Sequence, residues 1–308
     1  MPRCLAALAC LWFMTSAWAQ TTRAAQPVIW LAMADRGGPY AEAAEALRAE
    51  LPAGQVEAIA RPWQELLHGD GPPPRLIVTI GAGALRGMAE SGPRVPLLAT
   101  LLPRSAYATA TGAGPARAQS AIWLDQPAGR LIDLVHLALP SRQRVAVVFG
   151  PESRAYESEL QHATGERGLS LVAVRSDGPD QLPGALQKVL DDADLLLALP
   201  DPQIYNGATI QNVLTSAYRR RIPMVGFSPA YVKAGALLAL YSTPAQVGAQ
   251  AGDIARGFLA GRPLPPPQAP REFVIAVNPD VARSLGIVLE TGVAEKWAEH
   301  LRMKERLP

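Results

Sequence analysis

The chain alternates short, almost uninterrupted apolar runs with longer stretches in which apolar residues recur at helical spacing. The runs Val28–Met33, Leu76–Ile80, Pro96–Leu101, Arg144–Phe149, Leu169–Val174, Leu195–Leu199 and Pro223–Phe227 are rich in Val, Ile and Leu. Hydrophobicity sustained over a whole strand length, rather than at alternate positions, predicts strands buried on both faces. Between them, Tyr40–Leu51, Ala82–Ser91, Gly129–Ala138, Tyr156–Arg167, Leu182–Asp191 and Thr209–Arg220 read as amphipathic helices with Pro and Gly at the breaks. Strand and helix in alternation predict an α/β fold, its parallel sheets covered by helices on both faces.

A loose internal duplication divides the pattern in two. Arg75-Leu76-Ile77-Val78-Thr79-Ile80-Gly81, a helix and then Arg94-Val95-Pro96-Leu97-Leu98 in the first half correspond to Asp194-Leu195-Leu196-Leu197-Ala198-Leu199-Pro200, a helix and then Arg221-Ile222-Pro223-Met224-Val225 in the second. Each half also opens alike: a strand leads through a loop to Tyr40 or Tyr156 and a helix. Two Rossmann-like lobes are therefore expected. Open α/β sheets bind ligands at the carboxyl ends of their strands, so the loops Asp35–Tyr40, Gly81–Leu85, Leu102–Ser105, Gly150–Tyr156, Asp201–Asn206 and Ser228–Tyr231 should meet in one cleft. Ile122–Gln126 and Leu240–Pro244 lie between the lobes in sequence and are the expected hinges. Gly261–Pro270 carries five prolines and reads as a stiff surface connection rather than as a ligand for a proline-binding module.

Composition narrows the function. With 29 basic against 27 acidic residues in 308, the chain has no electrostatic footprint for nucleic acid. Arg219-Arg220-Arg221 is the only basic cluster, and it sits where a helix end favours positive charge. The first residues have the form of a signal peptide: Arg3, the apolar run Cys4–Phe13, then Ala17-Trp18-Ala19 as a small-x-small cleavage site. Cleavage after Ala19 is expected, with periplasmic export; a lipoprotein processed at Cys10 is the competing reading, against which Ala7 is a poor lipobox residue. Both cysteines, Cys4 and Cys10, fall within that leader, so the exported chain is expected to have no disulfide and no thiol nucleophile. No later apolar stretch has the length of a membrane span.

Several segments resemble the ABC-transporter substrate-binding proteins of the type I periplasmic-binding fold, the group that includes aromatic amino-acid binders. They are Leu76–Gly83, Arg144–Gly150, the run Gly235–Ser242 with the helix after it, and Phe273-Val274-Ile275-Ala276-Val277-Asn278 followed by Ala282-Arg283-Ser284-Leu285-Gly286. The resemblance implies two lobes joined by a three-crossing hinge, with residues 20–121 plus 243–271 in the first lobe and 122–242 plus 272–308 in the second. It also implies a small-molecule ligand and a membrane permease as partner. One departure bears on the site: the family often has a hydroxyl residue after the glycine that ends this strand, and here the run is Gly81-Ala82-Gly83-Ala84. Backbone N–H groups at the helix start, which attract anions, would have to replace it in holding a ligand carboxylate.

The same residues offer little other chemistry. Gly81, Gly83 and Gly87 miss the G-x-G-x-x-G spacing of a dinucleotide site by one residue, which leaves a tight strand-to-helix turn and no cofactor. Gly226-Phe227-Ser228-Pro229-Ala230 sits where a nucleophile elbow can, but lacks the second glycine, and only His300 follows it. His68, His136, His162 and His300 are scattered without zinc spacing, and Asp191, Asp192 and Asp194 read as a solvated turn. What remains is a set of ligand candidates on the loops: Arg36, Tyr40, Gly81, Ala82, Gly83, Arg104, Gln126, Ser153, Tyr156, Asp201, Tyr205, Asn206, Ser228, Tyr231 and Tyr241. Asp201 suits a ligand amine, and Arg36, Arg104 or Arg154 a carboxylate. The expected function is capture of an amino acid or similar solute without catalysis, by a monomer that hands it to a permease. A sensory receptor reporting to a membrane partner and an exported hydrolase using Ser228 are the alternatives.

Overall fold

The computed structural model describes residues 26–69, 71–111 and 119–306; the residues read as a signal peptide, 1–19, lie outside them. The first sheet is built from β1 (Val28–Met33), β2 (Glu57–Pro62), β3 (Leu76–Ile80), β4 (Leu97–Leu102) and β5 (Gln119–Trp123), in the order β2-β1-β3-β4-β5 and parallel throughout. The second contains β6 (Arg144–Phe149), β7 (Ser170–Arg175), β8 (Leu195–Leu197), β9 (Met224–Gly226), β10 (Leu238–Tyr241) and β11 (Val274–Val277), in the order β7-β6-β8-β9-β10-β11. Only β11 runs antiparallel. The first five strands of each sheet thus follow the same order, and the duplication seen in the sequence is a duplication of topology.

Helices cover both faces. Around the first sheet lie α1 (Gly38–Ala49), α2 (Trp63–His68), α3 (Ala82–Ser91) and α4 (Arg104–Thr111); α5 (Ala128–Ala138), α6 (Glu157–Glu166), α7 (Leu182–Asp191), α8 (Ile210–Arg219) and α9 (Pro229–Ala234) surround the second. The remaining helices are α10 (Pro244–Leu259), α11 (Pro279–Ser284) and α12 (Val293–Arg306). Each sheet has two cores, one per face. Val145, Val147 and Phe149 pack with α5, α6 and α12, while Ala146 and Val148 pack with α7 and α8. Alternate residues of one strand feeding opposite cores is the geometry that the uninterrupted apolar runs require.

The chain crosses between lobes three times. β5 runs to Trp123 in the first sheet, so Ile122 and Trp123, expected in the second lobe, belong to the first, and the first crossing is 124–127. The second follows β10 at Ser242 and Thr243, where Thr243 and Gln246 form a capping box that starts α10 back on the first lobe. There Gly248 and Gly252 lie against α1: a Cβ on Gly248 would come within 2.9 Å of the Ala43 carbonyl carbon, and one on Gly252 within 2.6 Å of the Leu47 oxygen. Glycine is needed because the two helix backbones nearly touch. The proline-rich segment is more than a surface connection, since Gln268 donates to the Ala121 carbonyl at 2.9 Å and forms a parallel bridge with Ile122 at the edge of the first sheet. From there the chain returns to β11.

Candidate ligand cleft

Each lobe sends its loops from the carboxyl ends of its strands toward the other. β4 ends in a bulge, with Leu101 at φ 53°, which redirects the chain through Pro103 into α4. β6 ends at Phe149 and continues through Gly150–Ser153 into a single 3-10 turn, Arg154–Tyr156, ahead of α6. These two loops meet across the gap. Ser105 Oγ donates to Glu152 Oε2 at 2.9 Å, and Arg104 Nη1 donates to Glu159 Oε1 at 2.7 Å. The Glu159 hydrogen bond holds the Arg104 guanidinium above its ordinary pKa, and the group lies 5.5 Å from the Trp123 ring centroid and 5.8 Å from that of Tyr156.

The crossings form the floor. Asp125 is 6% exposed and accepts the backbone N–H of Arg104 at 2.7 Å; burial, with the nearby charge of Glu152 adding to it, pushes its carboxyl up to about 6. The Tyr156 hydroxyl donates to the Gln126 carbonyl at 3.3 Å, and burial raises its pKa. The Gln126 side chain joins all three crossings: its amide donates to Ser242 Oγ at 3.0 Å, its oxygen accepts from Arg130 Nη1 at 2.7 Å, and Arg130 Nη1 also reaches the Pro270 carbonyl at 3.0 Å. Above this floor a cavity of about 10 Å³ opens between Leu124, Asp125, Gln126 and Tyr156 on one side and Leu199, Pro200, Phe227 and Leu240 on the other. That is room for one water.

The second lobe's wall is stiffened from behind. Asp201 is 1% exposed; its Oδ2 accepts Ser153 N at 2.9 Å, Ser153 Oγ at 2.9 Å and Glu152 N at 3.0 Å, and its Oδ1 accepts Gln203 N at 3.1 Å. Gly150 is the residue that admits this carboxylate, since a Cβ there would lie 2.5 Å from Asp201 Cγ. Tyr205, Phe227 and Tyr231 form an aromatic cluster, with Phe227 4.5 Å from Tyr231 and 6.1 Å from Tyr205 between ring centroids. Only Phe227 lines the cavity. Burial pushes Tyr231 up to about 12 and raises Tyr205, whose hydroxyl is buried without a partner among the described residues.

In the first lobe the Tyr40 ring lies over the turn between β3 and α3. Gly81 there has φ 100°, and a Cβ on it would meet Tyr40 Cε1 at 2.7 Å and Ala34 Cβ at 2.9 Å. The tight turn read from the Gly81-Ala82-Gly83 run is thus imposed both by backbone conformation and by the ring above it.

The family model for ABC transporter substrate-binding proteins matches residues 69–301, from the end of α2 into α12. The chain belongs to this family. No curated protein sequence matches it. Among solved structures, this substrate-binding protein is similar to a ligand-free, open substrate-binding protein with adhesive properties from Clostridium difficile (TM-score 0.65, 14% identity, 87% of this chain and 97% of that one). It is also similar to an ABC domain in complex with L-Trp from Streptococcus pneumonia (0.61, 15%, 89% and 98%) and to a periplasmic ribose ABC transporter from Conexibacter woesei (0.55, 16%, 89% and 97%). At these identities the likeness is one of fold.

The substrate-binding protein places its sequence candidates in four groups. Arg104, Gln126 and Tyr156 meet at the cavity floor and the lobe boundary, and Tyr40, Ala82, Ser228 and Tyr241 are half-buried at strand ends, with no hydrogen bond from the three hydroxyls to any described residue. Gly83 is exposed beside them. Ser153, Asp201, Tyr205 and Tyr231 are buried and face inward, with Tyr231 packed on Gly226, while the half-buried Asn206 closes its own loop on Ala208 N at 2.9 Å and Pro202 O at 2.8 Å. Arg36 and Arg154 are exposed and paired with Glu65 and Asp177. Asp125, Trp123, Glu152 and Glu159 went unnoticed in the sequence. The one available signal was an acid, Asp125, directly after the apolar stretch Ala121–Leu124.

Proposed function

We propose that this substrate-binding protein is an exported, monomeric and non-catalytic receptor that closes about its three crossings on an amino acid or similar small organic solute and presents it to a membrane permease. The leader is cleaved after Ala19, and the lobes divide at the crossings described above. One observation carries the reading: the carboxyl ends of two sheets of the same topology oppose each other, and the contacts between them run along the hinge side, through Arg104, Ser105, Glu152 and Glu159. Such a gap is hinged to close on a guest. The exposed half of the wall, with Tyr40, Tyr241 and Ser228, supplies aromatic surface and a few hydrogen-bonding groups, as small-molecule clefts do. The α3 backbone N–H groups replace the absent hydroxyl in holding a carboxylate.

A thermal-shift panel of amino acids, purines, sugars and inorganic ions on the purified exported chain tests this. A bound solute at a hundred times its Kd adds about 2.7 kcal/mol of stability. One class of organic solute raising the melting temperature supports the reading; turnover of an ester or peptide substrate that is lost on Ser228→Ala overturns it.

A further inference from the structure

We infer that Asp125 selects for solutes carrying an ammonium group, by accepting that group in the cavity at the floor of the cleft. The inference rests on the receptor reading and names what its site recognises. A carboxylate out of water needs a cation or several donors to offset its lost hydration. Asp125 has two backbone N–H donors, that of Arg104 at 2.7 Å and its own, and no basic side chain among the described residues forms an ion pair with it. The cations nearby are committed elsewhere: the Arg104 guanidinium is bound to Glu159, and Arg130 is held by Glu305, Gln126 and the Pro270 carbonyl. The other ionisable groups facing it are Glu152, whose charge disfavours a second carboxylate, and the Tyr156 phenol.

Asp201, only a loop away, is the contrast. Its two oxygens take four hydrogen bonds from its own lobe, so its charge is answered from within. That of Asp125 is answered only in part, by two backbone N–H groups and at longer range by the Arg104 guanidinium, and these do not offset its burial. The shape of the cavity agrees, because room for one water is also room for one ammonium, and neither a carboxylate nor a sugar ring enters about 10 Å³. The rings of Tyr156 and Phe227 form part of its wall, and aromatic surface favours a desolvated cation. The carboxyl raised to about 6 by burial is what an under-compensated buried acid shows before its cation arrives.

The test uses the exported chain and matched probes: L-phenylalanine, phenethylamine and 3-phenylpropanoate; L-leucine, isoamylamine and 4-methylpentanoate; and ribose. Titration calorimetry at pH 8 should show binding by amine-bearing probes and none by the deaminated acids or ribose, with Asp125→Asn weakening the former by about 100-fold. Only the carboxylate form binds the cation, so Kd for wild type should rise about tenfold from pH 8 to pH 5, when about nine-tenths of a carboxyl titrating near 6 is protonated, and stay flat in the variant. Melting of the ligand-free variant shows whether it folds; the discrimination among probes and the wild-type pH profile stand without it. A deaminated acid or ribose binding as tightly as an amine, or an Asp125→Asn variant with wild-type affinity, overturns the inference while leaving the receptor reading intact. Failure of every probe here and of every solute in the wider thermal panel overturns both.

Discussion

Replacing Asp201 by Ala separates an architectural carboxylate from a ligand-binding one. Among the described residues its Oδ2 is the one acceptor of Ser153 N and of Glu152 N, and Ser153 Oγ has besides it only the Gly150 carbonyl at 3.5 Å. The Ser153 donors are buried, and each buried donor left without an acceptor costs about 1–3 kcal/mol. Glu152 N and Gln203 N are only part-buried and recover water. The expected loss is about 3–5 kcal/mol, at the upper end for a point substitution, which lowers Tm by roughly 10 °C in a chain of this size. Urea unfolding and thermal melting of the ligand-free protein measure it. Asp201→Asn keeps one oxygen in place and should lose about half as much. Gly150→Ala should reproduce the loss without touching the carboxylate, because its Cβ would lie 2.5 Å from Asp201 Cγ. The reasoning is refuted if Asp201→Ala melts like wild type and loses only its solute.

Two further outcomes follow from residues far from that loop. Gly248→Ala puts a methyl group within 2.9 Å of the α1 backbone at Ala43, so α10 must move off α1; a loss of about 1–3 kcal/mol in urea unfolding is expected, and an unchanged midpoint would show that the two helices are not held this close. For Asp125 the folded carboxyl titrates near 6 against 3.8 unfolded, so the folded state holds the extra proton between those values and ligand-free stability gains from this group as pH falls toward 4. Asp125→Asn removes the penalty, and at pH 8 the variant should be the more stable by up to about 3 kcal/mol, a difference that closes below pH 4; a variant that is less stable at pH 8 contradicts the buried, under-compensated charge.

How far the sequence disclosed this depends on burial. β1, β3, β6, β8 and β9 were legible because both faces of each are covered, leaving runs that are apolar but for Thr79 within β3 and Arg144 at the start of β6. β2 was not, since it is a sheet edge whose Glu57 and Arg61 are exposed and whose last residue is Pro62; its counterpart β7, equally an edge, showed only through Leu171, Val172 and Val174. α4 buries no side chain fully, so no apolar stripe marks it. Topology tells which loops leave the carboxyl ends of the strands, but not which way their side chains turn. Asp201 and Tyr205 sit on a cleft loop and point away from it, and Asp125 lies in a segment read only as hinge. Loop position is a property of sequence order; side-chain direction is settled by tertiary partners such as Gly150 and Ser153.

The hinge shows why the two buried acids have different work. Arg130, with its side chain 4% exposed, lies 4.3 Å from the Phe273 ring centroid, is held in a fork by Glu305 of α12, and bonds to the first and third crossings through Gln126 and Pro270. Gln126 and Ser242 carry the connection to the second, and Ser242 Oγ passes it to the Glu272 carbonyl at 2.6 Å. Three strands of backbone tied side by side resist shear and twist, while rotation about the line joining them disturbs few of these bonds. The carboxylate next to that axis, Asp125, stays near the same place however far the lobes swing, and a group bound there is held by both open and closed forms. Phe227 lines the same floor cavity, whereas Tyr40 on the first lobe lies outside it and approaches a solute only as the gap narrows. An ammonium anchored at the axis and a body clasped at the rim would make closure depend on the whole solute rather than on its charged head alone.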